Sequence, residues 1–294
     1  MTAALRQRAA FARDLVRQAA ETARAHFGAA DLVVHDKGPN DLVTAADFAI
    51  EEDIRGAIGE AFPHDGICGE ELGGAAAPVG FTWLIDPIDG TVNYARGIGY
   101  FCVSIALLRD GMPVGGWICD PLRDELFHAD ETGKAFLGDR PIRCAATGAL
   151  TSAVVGLGFS GRHDEGVAAD VVAALTHAHA DYRRLGAGAL CLAHVAAGRL
   201  DAYVEPHMNP WDAVGGLYIA ACAGAGTLDY VAAGGLARGA PVFAAAPEIA
   251  LELLAELPAP FSGAPLHLDN DSRSAGFAAT EVVATPTISG RRLR

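Results

Sequence analysis

A hydrophobic run, FTWLID, leads directly into a stretch rich in polar groups: Asp86, Pro87, Ile88, Asp89, Gly90 and Thr91. Carboxylate oxygens are the ligands that Mg²⁺ prefers, and backbone N–H groups at the start of a helix bind anionic oxygens. An Asp-Pro or Asp-Gly pair alone is typical of an ordinary turn, but here both pairs follow one apolar strand. The stretch therefore predicts a site where a metal ion and a phosphate group meet.

Two other segments carry acidic residues that could complete such a site. Glu70 and Glu71 stand side by side before glycines in GEELGG, and Asp212 follows Trp211 at the start of a predicted helix. Taken alone, the glutamate pair is typical of a solvated loop, and Asp212 is typical of a helix cap. Because the Asp86 stretch needs further oxygen donors, both segments become candidate metal ligands.

The spacing of apolar residues predicts two helices in the N-terminal part of the chain. The second helix covers residues 41–61 and is stopped by Phe62-Pro63. From Phe81 to Leu137 short β-rich runs alternate with turns, which predicts an antiparallel meander covered by the two helices, an α+β unit. The first helix is marked by steps of four and three residues through Leu5, Ala9, Ala12, Val16, Ala19, Ala23 and His26.

After Cys144 predicted strands alternate with predicted helices. We therefore expect an N-terminal α+β metal-binding domain at residues 1–145, a C-terminal α/β domain at 146–262, and a polar tail at 263–294 with little to bury. The predicted strands of the second domain are SAVVGLGF, DYRRL, LDAYVEP and PVFAAAP, and its predicted helices are 166–179, 187–197, 211–222 and 248–257.

The overall composition argues against several classes of protein. The chain has 294 residues, a formal net charge of −14 and a basic run only in its last few residues, which argues against nucleic-acid binding. It has no run of about 20 uncharged apolar residues, so no membrane span is predicted, and its first residues lack the apolar core of a signal peptide. The six dispersed cysteines contain no CxxC pair and are typical of reduced thiols. We therefore expect a soluble cytoplasmic protein.

Three of these segments resemble, in their order and spacing, the signature stretches of the inositol monophosphatase family. They are Glu70-Glu71, the stretch from Asp86 to Thr91, and Trp211-Asp212 with Gly215. The segment from Lys37 through DLVT to Asp47 is also similar to that family, and the resemblance covers residues 5 to 258. It implies a fold of mixed α+β and α/β class, the layered αβαβα sandwich of the inositol monophosphatase and fructose bisphosphatase type.

The resemblance also implies a role for each matching residue in a magnesium-dependent phosphatase. Asp47, Glu70 and Thr91 would be the catalytic residues, of which Asp47 and Thr91 would position and deprotonate the attacking water. Two or three Mg²⁺ ions would be held by Glu70, Asp86, the Ile88 carbonyl, Asp89 and Asp212. The substrate would contact Asp89, Gly90, Thr91, Gly186, Ala187, Gly188, Glu205 and Asp212.

The identity of the substrate stays open at this point. Inositol monophosphate is the leading candidate because Asn93-Tyr94 resembles the inositol branch of the family; histidinol phosphate comes next and fructose bisphosphate after it. The segments HMNP at 207–210 and CAGAG at 222–226 differ from typical members. A non-catalytic protein that binds a phosphorylated metabolite is the alternative from another class, but it predicts the loss of a metal ligand. The resemblance further implies a homodimer.

Overall fold

The computed structural model describes residues 2–29, 34–38, 41–77, 79–130, 132–159, 165–262 and 265–268. Its helices are α1 (Ala3–His26), α2 (Ala45–Ala61), α3 (Thr91–Ala95), α4 (Glu165–His177), α5 (Gly188–Ala196), α6 (Pro210–Cys222), α7 (Gly235–Arg238) and α8 (Pro247–Glu256). Its strands are β1 (Val34–Gly38), β2 (Asp41–Thr44), β3 (Gly66–Gly69), β4 (Gly73–Ala75), β5 (Phe81–Asp89), β6 (Cys102–Arg109), β7 (Met112–Asp120), β8 (Glu125–Asp130), β9 (Ala135–Leu137), β10 (Arg140–Pro141), β11 (Val154–Leu157), β12 (Asp181–Arg183), β13 (Ala202–Met208), β14 (Gly226–Leu228), β15 (Ala240–Ala245) and β16 (Leu266–His267).

Most strands belong to two sheets. The larger sheet has eight strands in the order β10-β9-β8-β7-β6-β5-β3-β4, and the smaller has six in the order β12-β11-β13-β15-β14-β16. Strands β5 to β10 form the predicted antiparallel meander, and β3 pairs parallel to β5. In the smaller sheet β12, β11 and β13 are parallel, whereas β15, β14 and β16 are antiparallel.

Helices and sheets alternate in five layers. Helices α1 and α2 share a core with one face of the larger sheet, α5 and α6 pack between the two sheets, and α4 and α8 cover the outer face of the smaller sheet. The order α-β-α-β-α confirms the predicted fold class. The sheets lie on either side of the predicted boundary near residue 146, but because the α5–α6 layer packs on both, the division into two domains stays a prediction.

The central strand β5 shows why this stretch of sequence is so apolar. Trp83 and Ile85 point into the core under α1 and α2, whereas Leu84 points into the core formed with α5 and α6. Successive side chains of a strand point to opposite faces, and a strand covered on both faces is apolar throughout. The run FTWLID therefore places the Asp86 stretch at the end of a doubly buried strand.

The predicted start of the second helix was wrong. Residues Asp41–Thr44 form β2 against β1, and α2 begins only at Ala45. The backbone N–H and the hydroxyl of Thr44 both donate to Asp47 Oδ2, which satisfies a free N–H at the helix start and ends the strand there. Ala49, predicted to face the core, is exposed, and the acid Glu51 is buried instead.

Other element bounds differ less from prediction. His26 at the end of α1 is exposed rather than on the buried face, and α4 ends at His177 because His179 adopts a left-handed backbone conformation with φ 56°. Helices α5, α6 and α8 begin and end within one residue of their predicted bounds. Leu266–His267, inside the segment predicted to be a tail, pairs with β14, and residues 269–294 lie outside the described residues.

A buried ion pair attaches α1 to the larger sheet. The Arg8 guanidinium donates two hydrogen bonds of 2.7 Å to the carboxylate of Asp65, which also accepts from Trp83 Nε1 at 2.9 Å. The same guanidinium lies 4.4 Å from the ring centroid of Phe62 and 4.0 Å from that of Phe81. Paired hydrogen bonds and cation–π contacts act together here.

Arg8→Ala is expected to lower the free energy of unfolding by about 3 kcal/mol, because it leaves the buried Asp65 carboxylate without its charge partner. Urea unfolding of the two proteins measures this difference. Arg13→Ala is the matched control on the same helix. Its partner Asp139 is 97 % exposed, so the loss there should stay below about 0.5 kcal/mol. Equal losses in the two variants would contradict the role given to Arg8.

Candidate metal centre

Three acidic residues from separate elements meet at the end of β5. Glu70 lies in the turn between β3 and β4, Asp86 near the end of β5 and Asp212 in the first turn of α6. One carboxylate oxygen from each lies within 4.8 Å of the others. The three segments that the sequence singled out are thus brought together in space.

Strand pairing places Glu70 beside Asp86. Strand β3 runs parallel to β5, and the Glu70 N–H continues the ladder by donating to the Ile85 carbonyl at 3.1 Å. Parallel neighbours end at the same edge of a sheet, so both acids leave the sheet at one point. The backbone of Glu70, the first residue of the glutamate pair, is therefore fixed by this hydrogen bond to β5.

A β-bulge allows two acids of β5 to serve one site. Asp86 pairs with Ser104 of β6 and Asp89 pairs with Cys102, so three steps along β5 oppose two along β6. In a regular strand, residues three apart point to opposite faces; the extra residue at the bulge corrects this. Asp86 then faces Asp212 of α6, and Asp89 faces the start of α5.

Helix α6 approaches the sheet closely because two glycines face each other. A Cβ added to Gly116 of β7 would lie 2.5 Å from the carbonyl oxygen of Gly215, and one added to Gly215 would lie 3.4 Å from Ser104 Oγ. Position 116 therefore leaves no room for a side chain without moving the helix, whereas a Cβ at position 215 would make ordinary van der Waals contact. This close contact brings Asp212, three residues before Gly215, to the end of β5.

The electrostatics of the cluster favour a cation. Asp86 is 1 % exposed, and burial, followed by the charges of Glu70, Asp212 and Asp89, raises the pKa of its carboxyl well above the ordinary value. The Ile88 N–H donates to Asp86 Oδ1 at 3.0 Å, which favours the charged form of the carboxyl and so acts against this rise. A set of crowded hard oxygen donors fits Mg²⁺, so the residues present suit such an ion.

Asp89 binds the start of α5. Its Oδ1 accepts from the Gly188 N–H at 3.0 Å, and its Oδ2 accepts from the Leu190 N–H at 3.2 Å and faces Cys102 Sγ at 3.5 Å. Burial raises the pKa of Asp89 to about 6, although these donors oppose the rise. The carboxylate therefore joins β5 to the segment predicted to contact substrate.

Asp47 and Thr91 form a second polar pair beside the cluster. The Thr91 hydroxyl lies 3.3 Å from Asp47 Oδ1 and 2.9 Å from the Ile88 carbonyl oxygen. Burial raises the pKa of Asp47 to about 6, partly offset by hydrogen bonds from Thr44. A carboxylate with a raised pKa next to a hydroxyl is suited to accept a proton near neutral pH.

Several residues predicted to contact substrate lie close to one another beside the cluster. Gly90 has φ 95° and precedes α3, and a Cβ added to it would lie 3.0 Å from Ala187 Cβ and 3.2 Å from the Gly186 carbonyl oxygen. A Cβ on Gly188 would lie 3.4 Å from Glu205 Oε2. The structure thus brings the segment 186–188 between Gly90 and Glu205.

Glu205 itself is buried on β13. Tyr203 donates its hydroxyl to Glu205 Oε2 at 2.6 Å, and burial raises the pKa of Glu205 to about 8 despite this hydrogen bond. A buried acid beside the cluster is consistent with the predicted contact to a polar substrate rather than with a solvated surface position. The side chain of Lys37, from the segment before α2, lies outside the described residues.

Sequence reasoning missed the polar residues that support the site. Glu51 of α2 is buried under the Glu70 turn, Tyr203 binds Glu205, and the Asn93 side chain donates to the carbonyls of Tyr100 and Leu185 at 2.8 Å. One signal was present for Glu51, because it falls at helical spacing between Asp47 and the buried residues Ile54 and Ile58. An acid in such a stripe indicates a buried partner.

Comparison with known proteins identifies the family. The model of the inositol monophosphatase family matches residues 4–258. The chain belongs to the inositol monophosphatase family. Members of this family are magnesium-dependent phosphatases, so the chain is a phosphoric monoester hydrolase.

Individual relatives are similar to this chain in sequence, and a solved structure is similar to it in fold. An inositol-1-monophosphatase of Rhizobium meliloti is 39 % identical over 202 residues, 68 % of this chain and 76 % of the relative. A protein named Nus factor SuhB from Xylella fastidiosa is 40 % identical over 201 residues, 68 % of this chain and 73 % of its own length. The solved structure of an inositol monophosphatase from Anabaena superimposes with a TM-score of 0.75 at 31 % identity, covering 88 % of this chain and 99 % of that one. Across the described part of this family member, no helix has the length and apolarity needed to span a membrane.

Asp86→Asn is expected to stabilise the metal-free phosphatase at pH 7.5 by about 1 to 3 kcal/mol. The folded protein binds the Asp86 proton more tightly than the unfolded chain does, so this contribution to stability is present at low pH and lost as the pH rises above the ordinary value of 3.8. Asparagine removes the buried charge and keeps an oxygen for the Ile88 N–H. Urea unfolding in EDTA at pH 7.5 and at pH 4 measures the gain, which should shrink at the lower pH.

Added Mg²⁺ should reverse the order of stability, because it raises the unfolding temperature of the wild type and not that of Asp86→Asn. Asp14→Asn, which changes an exposed acid of α1, should respond to Mg²⁺ as the wild type does. A variant that is less stable than the wild type in EDTA at pH 7.5 would contradict the unfavourable crowding of these carboxylates.

Proposed function

We propose that the chain hydrolyses the phosphate monoester of an inositol monophosphate. The observation that carries this proposal is the meeting of Glu70, Asp86 and Asp212 within 4.8 Å of one another, beside the Asp47–Thr91 pair. Inositol-1-monophosphatases of Rhizobium meliloti and Mycobacterium bovis are 39 % and 41 % identical to this chain over the aligned residues. Asn93 and Tyr94, which follow the stretch from Asp86 to Thr91, resemble that branch of the family.

The proposed metal ligands are Glu70, Asp86, the Ile88 carbonyl, Asp89 and Asp212, and the proposed number of Mg²⁺ ions is two or three. Glu70, Asp86 and Asp212 are supported by their mutual distances, and Asp89 by its place at the same β-bulge. When bound, Mg²⁺ supplies positive charge that offsets the repulsion between a phosphate dianion and its nucleophile, acidifies water and stabilises the leaving oxygen.

The chain's own groups would orient the reactants and move one proton. Asp47 would accept a proton from the attacking water through the Thr91 hydroxyl, which lies 3.3 Å from Asp47 Oδ1, and Glu70 would act as a metal ligand. The N–H groups of Gly90 and Thr91 would bind phosphate oxygens. Gly186, Ala187, Gly188 and Glu205 would contact the hydroxyl groups of the leaving alcohol. Histidinol phosphate and fructose bisphosphate remain the alternative substrates.

Asp47→Asn should lower kcat about 100-fold, because the amide cannot take up the proton that a general base removes. Its oxygen can still accept from the Thr44 N–H, so α2 should keep its start and KM should change little. Asp53→Asn, at an exposed position of the same helix, is the matched control and should behave as the wild type. Phosphate release with and without Mg²⁺ is the measurement.

The same assay, run on a panel of substrates, tests the substrate class. Inositol monophosphate should be hydrolysed with a higher kcat/KM than histidinol phosphate or fructose bisphosphate. A preference for either of the other two compounds would replace the proposed substrate. Absence of Mg²⁺-dependent phosphate release from all three would contradict the proposed activity.

We further propose that the chain forms a homodimer in the cytoplasm. Ile98 and Leu122 are 52 % and 39 % exposed, and they are neighbours, since a Cβ added to Gly99 would lie 2.9 Å from Leu122 Cδ1. These two exposed apolar side chains are the place where we put the proposed contact between the two copies. The six cysteines are free thiols, which supports a reducing compartment. Sedimentation equilibrium should give twice the chain mass of 30.3 kDa; a single-chain mass at micromolar concentration would contradict the dimer.

A further inference from the structure

A carboxylate that belongs to neither the metal cluster nor the substrate segment lies beneath the turn that carries Glu70. Glu51 of α2 is 0 % exposed. Its Oε2 accepts from the Glu71 N–H at 2.8 Å, and its Oε1 accepts from the Leu72 N–H at 3.2 Å. The two residues after Glu70 therefore bind through their backbone to one side chain of a neighbouring helix.

Arg55, one helical turn further along α2, completes this arrangement. Its Nε donates to Glu51 Oε1 at 2.7 Å, and its guanidinium also donates to the Gly73 carbonyl. Both oxygens of the buried carboxylate are thus paired with N–H donors, and its charge is balanced. Hydrogen bonds to a charged acceptor are about twice as strong as those between neutral groups, so the turn is held firmly at residues 71 to 73.

Gly69, the residue before Glu70, packs directly against the same carboxylate. A Cβ added to Gly69 would lie 2.0 Å from Glu51 Oε1 and 2.4 Å from its Cδ. No side chain can occupy position 69 while Glu51 keeps its place. Contacts with Glu51 therefore lie on both sides of Glu70, at the residue before it and at the two residues after it.

We infer that Glu51 is a positioning residue, which holds the Glu70 turn in the conformation that presents the Glu70 carboxylate to Asp86 and Asp212. Those two acids lie on a strand and a helix, whereas Glu70 lies in a turn that leads into β4, whose three residues are exposed. A turn needs a fixed support before its side chain can meet a ligand geometry. This inference rests on the proposed role of Glu70 as a metal ligand.

Glu51→Gln in the full-length chain provides the first test. Glutamine keeps the shape of the side chain, but its NH₂ group must face an N–H donor of Leu72, Glu71 or Arg55. Binding of Mn²⁺ to the metal-stripped protein, measured by electron paramagnetic resonance well below the unfolding temperature, should weaken about 10- to 100-fold. Glu52→Gln, at the exposed neighbouring position, is the matched control and should bind as the wild type.

The metal dependence of activity separates positioning from a purely structural role. In Glu51→Gln the Mg²⁺ concentration for half-maximal rate should rise by a similar factor, while kcat at saturating Mg²⁺ and KM for the substrate stay within a few-fold of the wild type. A residue that only stabilises the fold would lower the unfolding temperature and leave the metal affinity of the folded molecules unchanged. That result would overturn the inference.

Gly69→Ala provides a second test of the positioning role, in which Glu51 keeps its charge. The new methyl group should displace the carboxylate and weaken Mn²⁺ binding about 10-fold or more. In the Glu51→Ala background the space beside position 69 is vacant, so the same substitution should cause little further loss. If Gly69→Ala weakened Mn²⁺ binding by the same factor in the Glu51→Ala background as in the wild type, the proposed contact would be overturned.

Mn²⁺ binding by the wild type and by Glu70→Gln distinguishes a failure of this inference from a failure of the proposed function. A wild-type protein that binds no Mn²⁺ at millimolar concentration would overturn the ligand assignment, and with it the role of Glu51. Wild-type binding that is lost in Glu70→Gln but unchanged in both Glu51→Gln and Gly69→Ala would leave the ligand assignment standing and overturn the positioning role alone.

Discussion

The mutual repulsion of carboxylates buried at the end of β5 is the constraint on which the rest of the structure depends. Asp86 is almost completely buried, and its neighbours Glu70, Asp212 and Asp89 all raise its pKa. Such a cluster destabilises a fold unless a cation offsets it. The apolar layers on both faces of β5 contribute the packing that keeps the cluster in place.

The N-terminal ends of three helices also offset the repulsion between these carboxylates. Asp47 lies in the first turn of α2, Asp212 lies in the first turn of α6, and Asp89 accepts hydrogen bonds from the first N–H groups of α5. The N-terminal end of a helix carries partial positive charge. Several helices thus begin next to the cluster, and the same arrangement that lowers the cost of the acids also leaves N–H groups near the proposed phosphate position.

The part of the site that could be predicted from sequence is the part where chemistry is concentrated in a few adjacent residues. The stretch from Asp86 to Thr91 combines acidic and turn-forming residues after an apolar strand, and this combination predicts a metal site without a structure. The helices α5 and α6 were predicted closely because they are largely apolar, as expected of helices that are mostly buried. The segment 186–188 could be assigned only through the family resemblance, since glycine and alanine carry no distinctive chemistry.

The remaining features depend on contacts between distant parts of the chain. The β-bulge that turns Asp86 and Asp89 to the same side is defined by its pairing with β6, which local sequence does not reveal. The start of α2 was misplaced because Leu42 and Ala45 fit helical spacing, whereas the Thr44–Asp47 hydrogen bonds decide the boundary. Glu51 was missed because an acid on a helix is normally at the surface, and its backbone partners in the Glu70 turn lie about twenty residues further along the chain.

The measurement that tests the central claim most directly is anomalous diffraction from crystals of the full chain soaked with Mn²⁺. Carboxylates that are crowded in order to hold a divalent cation should give an anomalous peak enclosed by Glu70, Asp86 and Asp212. The same crystals soaked with Mn²⁺ and inositol monophosphate should place the phosphate beside the N–H groups of Gly90 and Thr91. A well-ordered cluster without a Mn²⁺ peak among these three acids would contradict the claim.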